Sequence, residues 1–139
     1  MSLSRIKIPT TYFGKDILKQ LKNQKNKKIL VVTDKQIYEI HGNLINKYLK
    51  SNQVSFFKEV LPEPLDQMII EGADIARKIK SEIIIGFGGG SVMDSAKMIY
   101  YLYECEDKTL YECSYAKSKP LGKKSKLILI PTTSGTGAG

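Results

Sequence analysis

Apolar residues along this chain follow two alternating rhythms. Short apolar runs, KKILVVTD (27–34), EIIIGF (82–87) and KLILIP (126–131), with VSFF (54–57) as a further candidate strand interrupted by Ser55, are separated by stretches in which apolar positions recur every three or four residues. An unbroken branched run predicts a strand covered on both faces, whereas the wider spacing predicts a helix with one apolar side. The first helical stripe comprises Ile37, Ile40, His41, Leu44, Ile45, Tyr48 and Leu49. A second runs through Met68, Ile69, Gly72, Ile75, Ala76 and Ile79, and a third through Val92, Met93, Ala96, Ile99, Tyr100 and Tyr103. Ahead of them, IKIPTTYF (6–13) reads as extended and GKDILKQLKN (14–23) as helical.

Strands that alternate with helices imply right-handed crossovers and an α/β fold: a Rossmann-like parallel sheet with helices on both faces. Ligands of such sheets gather beyond the carboxyl ends of the strands, where strand order reverses. Three strand ends carry suggestive chemistry: VVTDK, IIGFGGGS and LIPTTSGTG.

The middle one has four glycines within Gly86–Gly90 and leads straight into the third helical stripe. Glycine lets a diphosphate approach the backbone, and amides at Gly89, Gly90 and Ser91 would face it from a helix N-terminus. The loop departs from G-x-G-x-x-G because Ser91 stands at the third glycine position. Ser91 and Asp94 also have the spacing of a helix cap and its reciprocal partner, so the loop alone leaves cap and cradle evenly balanced. Asp34 has two readings as well, a helix cap or an acceptor for a ribose hydroxyl, and taken alone its position favours the cap. The PTTSGTG segment offers small hydroxyl side chains and glycines, or else a solvated tail.

Composition narrows the field further. The net charge of +8 raises the possibility of a polyanionic partner, but the lysines sit in KNQKNKK (22–28) and KSKPLGKKSK (117–126), without interleaved aromatics. This arrangement weighs against a nucleic-acid surface. No apolar run approaches the roughly 18 residues that span a bilayer, and MSLSRIKIPT lacks a signal-peptide core, so no membrane is expected and the location is expected to be cytoplasmic. Cys105 and Cys113 match no metal spacing and read as reduced thiols. His41, the only histidine, lies on an apolar stripe and reads as a partly buried structural imidazole.

GFGGGSVMDSAK and LILIPTTSGTG, each after an apolar strand, together resemble the iron-containing (group III) alcohol dehydrogenase family. The resemblance extends through IPTTYFGKDILKQL, VVTDK and LPEP, which is essentially the whole chain. It implies that residues 1–139 are a dinucleotide-binding domain and that the family's helical domain, with its catalytic metal, lies outside them. Carried over by position, Gly89, Gly90 and Ser91 match the pyrophosphate loop, and Val92, Met93 and Asp94 complete that motif. Thr132 and Thr133, with Ser134 and Thr136, match a second cofactor loop. Asp34 matches the residue beside the adenosine ribose and favours NAD over NADP.

The same resemblance implies an alcohol or aldehyde substrate, with a divalent metal, iron by the family's name, in the full-length enzyme only. No catalytic residue or metal ligand is expected within this chain, and by itself it is expected to be inactive. A free-standing nucleotide-binding module is the alternative reading, with a basic nucleic-acid binder behind it. Removal of a partner domain would expose apolar surface, so a homo-oligomer is also an expectation.

Overall fold

The structure, a computed structural model, describes residues 21–105 and 124–132. Strand β1 (Lys28–Val32) leads to helix α1 (Lys35–Tyr48), β2 (Gln53–Phe57), α2 (Asp66–Ile79), β3 (Ile83–Gly88), α3 (Gly90–Cys105) and β4 (Lys126–Pro131). All four strands are parallel, in the order β2-β1-β3-β4. The chain therefore moves outward from β1 to β2 and then returns past β1 to β3. That reversal places the switch point between the carboxyl ends of β1 and β3.

Strand periodicity divides the core into two layers. Ile29 and Val31 of β1, Ile83, Ile85 and Phe87 of β3, and Ile128 and Ile130 of β4 pack with Ile45 of α1 and with Leu49. Leu30, Val32, Ile84, Leu127 and Leu129 face the other way, against α2 and α3. Both faces are covered, as the unbroken apolar runs imply.

The helices depart from their expected stripes in opposite senses. On α1 the inward positions are Gly42 and Ile45, while Ile40 is 62% and Leu44 39% exposed. At 100° per residue these two lie well round the helix from Ile45, so an apolar composition at helical spacing made the stripe look wider than the buried face. In contrast, α3 is buried almost all round, including Ser95, Tyr101 and Leu102, because it packs against α2 as well as the sheet. Gly72 allows that approach: a Cβ there would come 2.4 Å from Ile99 Cδ1.

The segment before β4 is tied to the end of α3. The Glu104 carboxylate accepts from Ser125 N and Ser125 Oγ, each at 2.9 Å, and from Lys124 N at 3.1 Å. Tyr103 Oη donates to Ser81 O at 2.8 Å. Next to these satisfied groups, Tyr100 Oη is buried and has no hydrogen-bond partner among the described residues. Burial, and secondarily the Glu104 charge, hold this phenol well above the ordinary tyrosine range. The folded state thus keeps its proton where the unfolded chain begins to lose it, so this contribution is complete below about pH 10 and declines above it. Tyr100→Phe is expected to flatten the loss of stability between about pH 10 and 11 by up to ~1.4 kcal/mol per pH unit. At pH 7 it is expected to cost less than about 1 kcal/mol, since it removes an unpaired hydroxyl. Urea melts of both chains across that pH range measure the difference.

Candidate functional site

The backbone at the switch point is held by Thr33. Its N–H donates to Phe57 O at 2.9 Å, and its buried hydroxyl donates to Phe87 O at 2.8 Å. One residue thus fastens the ends of β2, β1 and β3. Above it opens a cleft of about 500 Å³. Three segments line it: Asp34 to Gln36 at the start of α1, Lys58 to Pro62 after β2, and Gly89 to Val92 at the start of α3.

The glycine-rich segment is shaped first by packing. A Cβ on Gly86 would lie 2.6 Å from Ala96 Cβ, and one on Gly88 would lie 2.8 Å from Val92 Cγ2. These two glycines bring α3 down onto β3. Gly90 is different: a Cβ there would meet nothing within 4 Å, and the residue is exposed at the cleft. The glycine run therefore contains positions required by the fold and a position that the fold leaves open.

The capping expected of Ser91 is corrected by the helix boundary. Helix α3 begins at Gly90, and Gly89 O already accepts from Met93 N at 3.0 Å, so Ser91 lies within the first turn. Its hydroxyl instead donates to Pro62 O at 2.8 Å, joining the glycine segment to the β2–α2 loop. Asp94 is not its reciprocal partner; it pairs with Lys97 at 4.0 Å on the exposed side of the helix. For Asp34 the capping reading is observed, because its Oδ1 accepts from Ile37 N at 2.8 Å. The same residue borders the cleft, so capping and an accessible carboxylate coexist.

Asp34, Gly89, Gly90, Ser91 and Val92 are thus brought together. Met93 packs against the core on the α2 and α3 side. Neither Met93 nor Asp94 borders the cleft. Thr132 follows β4 and its N–H donates to Gly88 O at 3.0 Å, beside the glycine strand but outside the cleft lining. Thr133, Ser134 and Thr136 lie outside the described residues, as does Cys113. His41 is half-buried, its ring tilted over Phe87 with centroids 5.5 Å apart.

Lys35, Gln36 and the stretch Lys58 to Pro62 are the cleft residues that sequence reasoning missed. A signal for Lys58 to Pro62 exists in the sequence: VSFF reads as a strand of the parallel sheet, so its own carboxyl end, KEVLP, belongs with the other strand ends. Among the described residues no three His, Cys, Asp or Glu side chains form a potential metal-ligand set. Nor is any helix among them long and apolar enough to cross a membrane.

Comparison with known proteins agrees with this architecture. The chain is 35% identical over 130 residues to the NADPH-dependent butanol dehydrogenase of Clostridium saccharobutylicum, an alignment covering 90% of this chain and 34% of that protein. Among solved structures, the iron-containing alcohol dehydrogenase of Thermotoga maritima is similar with a TM-score of 0.72 at 30% identity, over 96% of this chain and 39% of the other. The sulfoacetaldehyde reductase of Bifidobacterium kashiwanohense, solved in complex with NAD+, gives 0.70 at 26% identity, over 96% and 37%. The chain thus spans little more than a third of the length of these relatives. The profile of the family described as iron-containing alcohol dehydrogenase matches residues 9–139. The chain belongs to the iron-containing alcohol dehydrogenase family.

Proposed function

We propose that this chain is the dinucleotide-binding part of an NAD-dependent alcohol dehydrogenase that moves hydride between an alcohol or aldehyde substrate and nicotinamide. The observation that carries this reading is the cleft at the β1/β3 switch point, bordered by the start of α3 and by an exposed Gly90 with open space around it. In this reading the amides of Gly89, Gly90 and Ser91 receive the pyrophosphate, with the positive end of α3 behind them. Asp34 accepts from the adenosine ribose and disfavours a 2′-phosphate there. Val92, Met93 and Asp94 follow in the same motif, and Thr132, Thr133, Ser134 and Thr136 form the second cofactor loop. The cofactors named for two relatives, NADPH in one and NAD+ in the other, are of the class this cleft would hold.

Binding a hydride carrier is only part of the reaction. A divalent metal would supply Lewis acidity that stabilises the alkoxide as hydride leaves the alcohol carbon. The described residues do not fit that group, since they assemble no ligand set. What they provide is cofactor binding and orientation. The purified 139-residue chain is therefore expected to bind NAD+ in calorimetry but to give no NADH when supplied with a primary alcohol, NAD+ and ferrous iron. Metal-dependent NADH formation by this chain alone would contradict the division of labour, and failure to bind NAD+ would contradict the cofactor reading.

A further inference from the structure

The charged residues at the cleft are Asp34 and Glu59 against Lys35 and Lys58. Asp34 already has one carboxylate oxygen engaged with Ile37 N. Lys58 is held differently. It follows the last residue of β2, where Thr33 N donates to Phe57 O at 2.9 Å and Val60 N donates to Thr33 O at 3.4 Å. These two bonds hold the Lys58–Glu59 step beside Thr33, the residue before Asp34, and all three charged residues line the same cleft. Lys58 Nζ stands 4.0 Å from the centre of the Tyr38 ring, and Tyr38 is itself braced edge-on by Phe56 at 4.9 Å and 73°. A cation over an aromatic face is positioned by the ring while its ammonium still has N–H donors to offer. Among the described residues, neither Lys35 nor Lys58 takes part in an ion pair.

We infer that Lys58 is a specificity-determining residue whose ammonium receives the 2′-phosphate of an adenosine ribose, so that the cleft accepts NADP+ as well as NAD+. This rests on the cofactor reading above, which puts the ribose beside Asp34. A dianionic phosphate there is repelled by the Asp34 carboxylate, and a positioned ammonium on the adjoining strand end opposes that repulsion. NAD+ carries no charge on that ribose and draws less on Lys58. Asp34 therefore sets the direction of the preference, and Lys58 limits its size.

Calorimetric titration of the 139-residue chain with NAD+ and with NADP+ tests this, using Lys58→Met and Lys58→Arg. Methionine keeps an unbranched stem against Tyr38 but has no charge. Partial unfolding of a variant would lower both apparent affinities by the same factor, so the ratio of the two constants is the readout. The parent chain is expected to bind NADP+ within about tenfold of NAD+, Lys58→Met to weaken NADP+ about tenfold more than NAD+, and Lys58→Arg to restore the parent ratio. Added salt should narrow the difference between parent and Lys58→Met. A Lys58→Met ratio equal to that of the parent overturns the inference while leaving the cofactor reading intact. Absence of NAD+ binding by the parent overturns the cofactor reading and this inference with it.

Discussion

Gly90→Ala is expected to separate binding from stability. The added methyl meets no protein atom within 4 Å, and the residue opens helix α3 without a positive φ. Alanine is the better helix former by roughly 0.5–1 kcal/mol, so the urea midpoint of the variant should be unchanged or slightly raised. The same methyl projects where, in the proposed function, a pyrophosphate approaches the backbone. Displacing a charged acceptor from its amides loses hydrogen bonds worth about 1.5–3 kcal/mol each, which corresponds to an affinity roughly ten- to a hundredfold lower. Paired calorimetry and urea melts give both quantities. Unchanged affinity at unchanged stability would mean that the open glycine has no ligand to admit.

Four residues earlier, within strand β3, the expected result reverses. Gly86→Val should be strongly destabilising, because its Cβ would lie 2.6 Å from Ala96 Cβ and 3.1 Å from Leu129 Cδ2. Gly86 sits in the middle of the sheet, paired with Val32 on one side and Leu129 on the other, so the strand has nowhere to retreat. Overpacking at such a point costs about 3 kcal/mol or more, a large share of the 5–15 kcal/mol typical of a whole domain. Ala96→Gly in the same chain removes the atom that would be struck and should recover part of the loss. The double-mutant coupling then measures the contact directly. A Gly86→Val chain that melts with the parent would show that α3 does not press on β3 as closely as the structure has it.

These two glycines show what could be read from the sequence and what could not. The branched run before Gly86 and the amphipathic run after Gly90 were enough to place a strand, a sharp turn and a helix, because those features are local. Which glycine makes room for Ala96 and which faces open space depends on how α3 lies across the sheet. Both glycines carry the same letter. Strands β1, β3 and β4 are legible for the same local reason, since a strand buried on both faces has to be apolar at nearly every position, whereas edge strand β2 is only partly buried and carries Ser55 among its apolar residues.

The site was legible only in part, and the division follows sequence distance. Asp34 and Gly89 to Val92 stand at strand-to-helix turns, where the expected fold itself directs attention. Lys58 and Glu59 reach the cleft because β2 lies beside β1, a neighbour relation fixed by the crossover and not by the letters KEV. The Ser91 hydroxyl is a similar case. Its S-x-x-D spacing suggested a local cap, but the bond to Pro62 O spans 29 residues and became visible only with the β2–α2 loop in place. On α1, Ile40 and Leu44 matched the helical period and still face solvent, since periodicity identifies an apolar side more readily than it fixes that side's width.

In the proposed function the β1/β3 cleft is where this chain holds a dinucleotide. Titrating the isotopically labelled 139-residue chain with NAD+ and following backbone amide chemical shifts tests it most directly. The largest shifts are expected on Gly89, Gly90, Ser91 and Val92, with Asp34 to Gln36 moving in the same titration and with the same saturation. Shifts confined to the lysine-rich turn at residues 22–28, where β1 begins at the opposite end of the sheet, or no saturable shift anywhere, would contradict it.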